Sequence, residues 1–204
     1  MAYRSISRNL LARRRYLIGM LLFIFCIVEG ILLVKIFTPL TGPIVVPLPT
    51  GMDSNFVNQV DKCFIPTAAA YGYTLRITAG FRSLQDQAVM YTQGRSVNGH
   101  IVTDAPASRS IHNYGFAVDV VDRWRGYNID WVKLGQIGLY CGLEQGSDGD
   151  SPHFEHRAGL TTPDFVAGKR PPLLTLPCAV MDERSAANKP LTLLDLKSCG
   201  APKF

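Results

Sequence analysis

Ser110-Ile111-His112-Asn113-Tyr114-Gly115-Phe116-Ala117-Val118-Asp119 is the stretch that decides how this chain is read. His112 and Asp119 stand seven residues apart, with Gly115 between them. Seven is not the offset of neighbours on a helix face, which lie three or four apart. Along one extended strand it would point the two side chains to opposite faces. Gly115 supplies a break, because glycine enters backbone conformations closed to other residues. His112 can then leave a loop while Asp119 sits on the strand that follows. In Phe116-Ala117-Val118-Asp119-Val120, bulky apolar residues alternate with Ala117 and Asp119, the period of a half-buried strand. Phe116, Val118 and Val120 are expected to face the core. Asp119 projects from the other face beside the small Ala117, which leaves room for a ligand, and a metal ion is the first candidate.

The second half of the site lies downstream, in Asp150-Ser151-Pro152-His153-Phe154-Glu155. A histidine in a strand is commonly a structural residue, so neither half means much alone. Together, His112, Asp119 and His153 form a two-histidine, one-carboxylate set of the kind that holds catalytic zinc and leaves its fourth position to water. Asp150, three residues before His153, is placed to act as a base beside that water. Glu155 shares a strand face with His153. It is a candidate acceptor for the His153 ring and a rival to Asp150 for the base. His100 and His156 fall outside the motif and read as structural or surface residues.

Ser-x-His-x-x-Gly-x-Ala-x-Asp followed by Asp-x-Pro-His-Phe-Glu resembles the zinc peptidases that cut peptidoglycan stem peptides. These are the D-alanyl-D-alanine carboxypeptidases and dipeptidases and the L-alanyl-D-glutamate endopeptidases, many phage endolysins among them. Further resemblance lies in Ile77-Thr78-Ala79-Gly80-Phe81-Arg82-Ser83, in Tyr91 to Arg95, in Ile101 to Ala105 and in Leu139 to Gly146. The second and third of these favour the endopeptidase branch. The resemblance spans Ser54 to Arg157. It implies an α+β fold of the hedgehog/DD-peptidase kind, a small antiparallel sheet with flanking helices. It also implies Zn²⁺ as cofactor and a stem peptide as substrate, cut by metal-activated water. Arg82 would face the site and hold a substrate carboxylate or developing negative charge, with Ser110 a further candidate for contact with ligands or substrate. Two departures stand out: Ser108, where the family often has glycine, and only 34 residues from Asp119 to His153, which leaves little room for substrate-binding loops.

Charge is distributed unevenly along the chain. Arg4, Arg8, Arg13, Arg14 and Arg15 precede residue 16. Setting these and Lys35 aside from 21 Lys and Arg, and Glu29 from 16 Asp and Glu, leaves 15 of each sign from Thr38 onward. That neutral remainder argues against a nucleic-acid partner, which needs a basic patch on the folded domain. Between the two lies an apolar stretch, Leu17 to Val34, 18 residues with only Glu29 charged. It approaches the length that spans a bilayer as a helix. The arginines before it place the N-terminus in the cytoplasm by the positive-inside bias. With no small-residue cleavage site after Lys35, an uncleaved anchor is favoured over a signal peptide. The expected plan is therefore a basic cytoplasmic terminus (1–15), a transmembrane anchor (16–37) in the cytoplasmic membrane and a proline-rich spacer (38–51). A zinc peptidase domain (52–158) and a C-terminal extension (159–204) follow on the periplasmic or extracellular side.

Within the domain, Asp53 or Ser54 is a plausible cap for a helix burying Phe56, Val60, Cys63 and Phe64. Pro66 bends or restarts that helix and Gly72 ends it. Tyr73 to Thr78 reads as a strand. Ser83 to Gly94 reads as a helix with Leu84, Ala88 and Tyr91 inward, and with Gln85 and Gln87 either polar residues of the site wall or, the favoured reading, toward water. Asp130 caps a helix over Trp131–Tyr140. Cys26 falls in the apolar span. Cys63 and Cys141 sit in apolar helical patterns and are expected as buried thiols, whereas Cys178 and Cys199 are the better disulfide pair. Two further readings stay open beside the endopeptidase: a D-alanyl-D-alanine carboxypeptidase, and a wall-binding or virion module without turnover. The second would be expected to lack a ligand or the base, and this chain has both.

Overall fold

The computed structural model describes residues 51–146 and 150–204. The expected basic terminus, the apolar anchor with Glu29 and Cys26, and the spacer up to residue 50 lie outside the described residues. No helix among those described is long and apolar enough to cross a membrane.

Asp53 opens the domain. Its carboxylate accepts the amides of Asn55 and Phe56, satisfying donors that a helix start leaves free, and so begins α1 (Ser54–Gln59). A π turn (Val60–Phe64) and α2 (Ile65–Ala70) continue it. Pro66 falls in the first turn of α2, where its missing N–H has no partner to lose. Gly72, at φ +86°, turns the chain into β1 (Leu75–Ala79). There follow α3 (Leu84–Thr92), a 3-10 turn (Ile111–Tyr114), β2 (Ala117–Asp122), α4 (Trp131–Tyr140), β3 (Glu144–Gln145) and β4 (His153–Glu155). The four strands form one sheet in the order β1-β2-β4-β3, every neighbour antiparallel. The fold is α+β.

One face of the sheet is the core. Val118, Val120 and Phe154 meet Phe56, Val60 and Phe64 from the first helices and Leu134 and Ile137 from α4, all fully buried. The Phe64 and Phe154 rings lie 4.6 Å apart. Burying each large apolar side chain stabilises by about 1.5–3 kcal/mol, and this face presents an uninterrupted set of them.

Three expectations are corrected. Cys63 and Cys141 are buried, but as a disulfide, with Cα atoms 5.7 Å apart. Helical periodicity reads burial correctly yet cannot see a partner 78 residues away. In α3, Leu84 is exposed and so is Ala88, whereas Gln87 is fully buried. The helix turns Gln87 inward because polar groups wait for it there, described below.

The tail wraps the domain. Phe165, Met181, Leu191, Leu196 and Ala201 join the same core, across α5 (Thr162–Val166), α6 (Ala179–Ala186) and α7 (Leu193–Ser198). Asn55 and Leu174 exchange two hydrogen bonds, and Tyr140 Oη–H donates to the Cys199 carbonyl at 3.1 Å. The Cys178–Cys199 disulfide, expected from the cysteine positions, closes the polar α6 segment against α7.

Candidate active site

On the other face of the sheet, register does the positioning. Asp119 on β2 is directly opposite His153 on β4, and Ala117 is opposite Glu155. Directly opposed residues of an antiparallel pair project from the same face. The pairing of β1 with β2 shifts by one residue between Ile77 and Ala79, a bulge beside Asp119, and Thr78 Oγ1 donates to the Asp119 carbonyl at 3.2 Å. His112 arrives from the 3-10 turn, which Gly115 ends at φ +79°. A side chain at Gly115 is excluded twice, by that left-handed backbone and by the Gly51 carbonyl 2.4 Å from where its Cβ would stand.

The ring nitrogens are fixed by what their far sides touch. His112 Nδ1 lies 2.7 Å from the Gly80 carbonyl, which can only accept, so Nδ1 carries a hydrogen and Nε2 is the nitrogen turned toward Asp119. His153 Nε2 lies 2.9 Å from Glu155 Oε2 and donates to it, which turns Nδ1 toward Asp119. The facing atoms form a triangle: His112 Nε2 to Asp119 Oδ1 3.2 Å, His153 Nδ1 to Asp119 Oδ1 3.0 Å, and His112 Nε2 to His153 Nδ1 3.1 Å. Around a tetrahedral zinc with bonds near 2.0–2.2 Å, donor atoms stand roughly 3.3 Å apart. The donor set therefore fits such an ion in kind and in spacing, and these three residues are the one group of metal-type donors found together among the described residues.

The charges around this triangle are strongly coupled. Burial pushes the Asp119 carboxyl up, but hydrogen bonds from both histidines outweigh it and hold the group well below the usual carboxylate range. Burial would lower His153, yet Asp119 and Glu155 dominate and raise it to about 9. Surroundings that attract a proton so strongly also attract a cation. Arg82 completes the rim: its Nη2 stands 3.9 Å from Asp119 Oδ2, and its side chain is 15% exposed. Its backbone is stitched to the same turn, with Arg82 N–H donating to the His112 carbonyl at 3.1 Å and Asn113 Nδ2 donating to the Arg82 carbonyl at 2.8 Å.

The D-alanyl-D-alanine carboxypeptidase family model, VanY, matches residues 51–135, which include Arg82, His112 and Asp119. The peptidoglycan L-alanyl-D-glutamate endopeptidase CwlK of Bacillus subtilis (strain 168) is 33% identical over 127 residues, covering 53% of this chain and 75% of that protein. The chain belongs to this family of peptidoglycan peptidases. Among solved structures, the L-Ala D-Glu endopeptidase ChiX of Serratia marcescens aligns with 23% identity and a TM-score of 0.36, over 53% of this chain and 82% of that one. The LD-carboxypeptidase LdcB aligns with 19% identity and a TM-score of 0.43, over 61% and 79%.

In this peptidase the other expected residues are placed less tightly. Asp150 is exposed, and among the described residues nothing hydrogen-bonds to its carboxylate, although its carbonyl accepts the His153 amide at 3.1 Å. Ser110 precedes the 3-10 turn as its cap, and its side chain makes no capping hydrogen bond. Glu155 is 8% exposed, held below its usual range by His153 and Arg157 against the opposing effect of burial. His156 is buried with its Nε2 against the Pro172 carbonyl at 2.9 Å, and His100 is exposed, both away from the triangle.

Gln87 is the residue for which sequence reasoning favoured the wrong side, water over the wall of the site. Its Oε1 accepts Arg82 Nη1–H at 2.8 Å, while its Nε2 donates to the Ala105 carbonyl at 2.6 Å and to Thr103 Oγ1 at 3.3 Å. It ties the guanidinium to the loop that follows α3. The α3 sequence carries no signal for it, because the exposure of Leu84 and Val89 that leaves Gln87 inward is visible only in the structure.

Proposed function

We propose that this chain is a zinc-dependent endopeptidase cutting the L-alanyl-D-glutamate bond of peptidoglycan stem peptides, held at the cytoplasmic membrane by its N-terminal apolar segment. The observation that carries the bond is the likeness to the Bacillus subtilis endopeptidase over three quarters of that protein's length. What favours the metal is the converging triangle of His112 Nε2, Asp119 Oδ1 and His153 Nδ1. Those three atoms would hold Zn²⁺, which when bound supplies a Lewis acid that acidifies water and polarises a carbonyl.

The chain's own residues do the rest. Asp150 takes a proton from the attacking water as its oxygen bonds to the carbonyl carbon, then gives that proton to the amine as the C–N bond breaks. Its carboxylate is free of protein partners among those described, which suits a group that must bind and release a proton within one turnover. Arg82, held in place by Gln87, faces the negative charge that develops on the carbonyl oxygen or that the substrate carboxylate brings. Glu155 keeps the His153 ring in one tautomer.

A second reading, carboxypeptidase action on terminal D-alanine, is favoured by the family model. Mass analysis of muropeptides digested by the purified chain, with and without chelator, separates the two. The endopeptidase severs stem peptides between their first two residues, and the carboxypeptidase only shortens their ends. Intact stems that lose a single terminal alanine would overturn the endopeptidase assignment. The anchor rests on the five arginines and the apolar stretch after them. Fractionation with protease accessibility tests it, and a chain released by a salt wash would refute it.

A further inference from the structure

Glu144 and Glu155 are directly opposite one another on β3 and β4. Like charges so placed in an antiparallel pair repel and destabilise it. One residue resolves the conflict. The backbone N–H of Arg157 donates to Glu144 Oε1 at 3.2 Å, joined by the Ala158 N–H at 2.9 Å. The guanidinium of the same arginine turns back, and its Nε–H donates to Glu155 Oε1. Among the described residues no other Lys or Arg reaches Glu155. The second oxygen of Glu155 is thereby left for His153 Nε2 at 2.9 Å. A chain of contacts thus runs from the Asp119 triangle through His153, Glu155 and Arg157 to Thr162 Oγ1, which Arg157 Nη1 approaches at 3.5 Å at the start of α5.

We propose that Arg157 is a positioning residue of the metal centre: it pins Glu155 against the His153 ring and so aims His153 Nδ1 at Asp119 and His112. Without the guanidinium, Glu155 is left facing Glu144 and swings toward water, and the His153 ring loses the acceptor that fixes its tautomer and tilt. Partners that orient a ligating histidine contribute about 10–100-fold in metal affinity. Arg157 acts one contact further out, yet it is the sole cation on that carboxylate among the described residues, and a comparable loss is expected. The inference rests on the reading that His112, Asp119 and His153 hold zinc.

The test uses the full chain and reads metal affinity rather than turnover, by zinc competition against a chromophoric chelator and by the visible spectrum of the cobalt(II) form. Arg157→Met should weaken zinc roughly 10–100-fold and shift the cobalt bands, and Arg157→Lys should recover most of both. Asp164→Ala removes the capping box at the start of α5 without touching Glu155. It should lower the melting temperature and leave zinc affinity within about twofold of the parent, since the ligand shell is untouched. Unchanged affinity in Arg157→Met overturns the proposal, as does an equal loss in Asp164→Ala, which would reveal mere local loosening. If Arg157→Met does not fold, Arg157→Gln, which keeps an N–H but no charge, is read the same way. His153→Ala separates this inference from its premise. Full zinc in that variant refutes the metal reading, whereas lost zinc there with normal binding in Arg157→Met refutes the role of Arg157 alone.

Discussion

Strand β2 carries two aspartates three residues apart, and they do opposite jobs. Asp122, 2% exposed, is saturated: its oxygens accept the amides of Thr74, Trp124 and Arg125 and the Arg125 guanidinium, all within 3.0 Å. Asp119, nearer the start of the strand, meets one ring nitrogen each of His112 and His153, whose far nitrogens face the Gly80 carbonyl and Glu155. Both carboxyls resist the upward push of burial and lie well below the usual range. The low value alone therefore does not identify a functional carboxylate. What does is the kind of partner: at Asp122 backbone amides and an arginine, which can only donate, and at Asp119 two imidazole nitrogens, which can also ligate a metal.

Removing each carboxylate should break the comparison most sharply. Asp119→Ala is expected to drop zinc from about one per chain to below about a tenth. Turnover should fall more than roughly 10³-fold, since a Lewis acid contributes several kcal/mol to the transition state. Asp122→Ala should keep its zinc. Elemental analysis of both purified proteins decides it, and full occupancy in Asp119→Ala would end the metal assignment.

The next largest effect separates the proton carrier from the ring holder. Asp150→Asn should bind zinc normally and lose about 10²–10⁴-fold in kcat, the usual contribution of a positioned acid–base group. Glu155→Gln should be milder, because an amide oxygen can still accept from His153. If Glu155→Gln abolishes turnover and Asp150→Asn does not, the two roles are exchanged.

At the far end of β2 the prediction concerns stability. Asp122→Ala leaves the Thr74, Trp124 and Arg125 amides without their acceptor and should cost about 3 kcal/mol in urea unfolding. The pH dependence follows from the depressed folded-state value, with burial opposing the four donors and losing to them. A carboxylate depressed on folding stabilises above its unfolded pKa, about 3.9, and that stabilisation is lost as the pH falls through the lower folded value. Asp122→Asn should therefore flatten the acid limb of the stability curve below about pH 4, where the parent declines. Parallel acid limbs in the two proteins would show that Asp122 is not what titrates there.

What could be read in advance follows the same division. Asp119 and His153 were legible because a strand declares its faces by alternation and Gly115 declares the break before it. Register then made them partners, which alternation permits but does not dictate. Gln87 was not legible, because nothing in the α3 sequence says that its apolar residues, Leu84 and Val89, are the ones left in water. The burial of Cys63 and Cys141 was legible from helical spacing, and their bond was not, since it depends on the packing of α4 beneath the first helices. Arg157 gave no sign at all. Its importance comes from facing two glutamates that only the β3–β4 pairing brings together.

The smallest effect tests a single backbone angle beside the turn that carries His112. Ser108 has φ +66°, in the left-handed region where a side chain is strained and glycine is not. The strain is held in place by two contacts from the same turn: Asn113 Oδ1 accepts the Ser108 N–H at 3.1 Å, and Tyr114 Oη–H donates to the Ser108 carbonyl at 2.8 Å. Both use backbone atoms, so glycine keeps them. Ser108→Gly should then gain from relieved strain and lose part of that gain to the greater freedom of glycine in the unfolded chain, for a net stabilisation of about 0.5–1 kcal/mol. The urea midpoint should rise with an unchanged slope, while zinc affinity and kcat stay the same, because His112 keeps its Gly80 and Arg82 contacts. A lower midpoint would mean that the serine side chain itself contributes more than the strain removes.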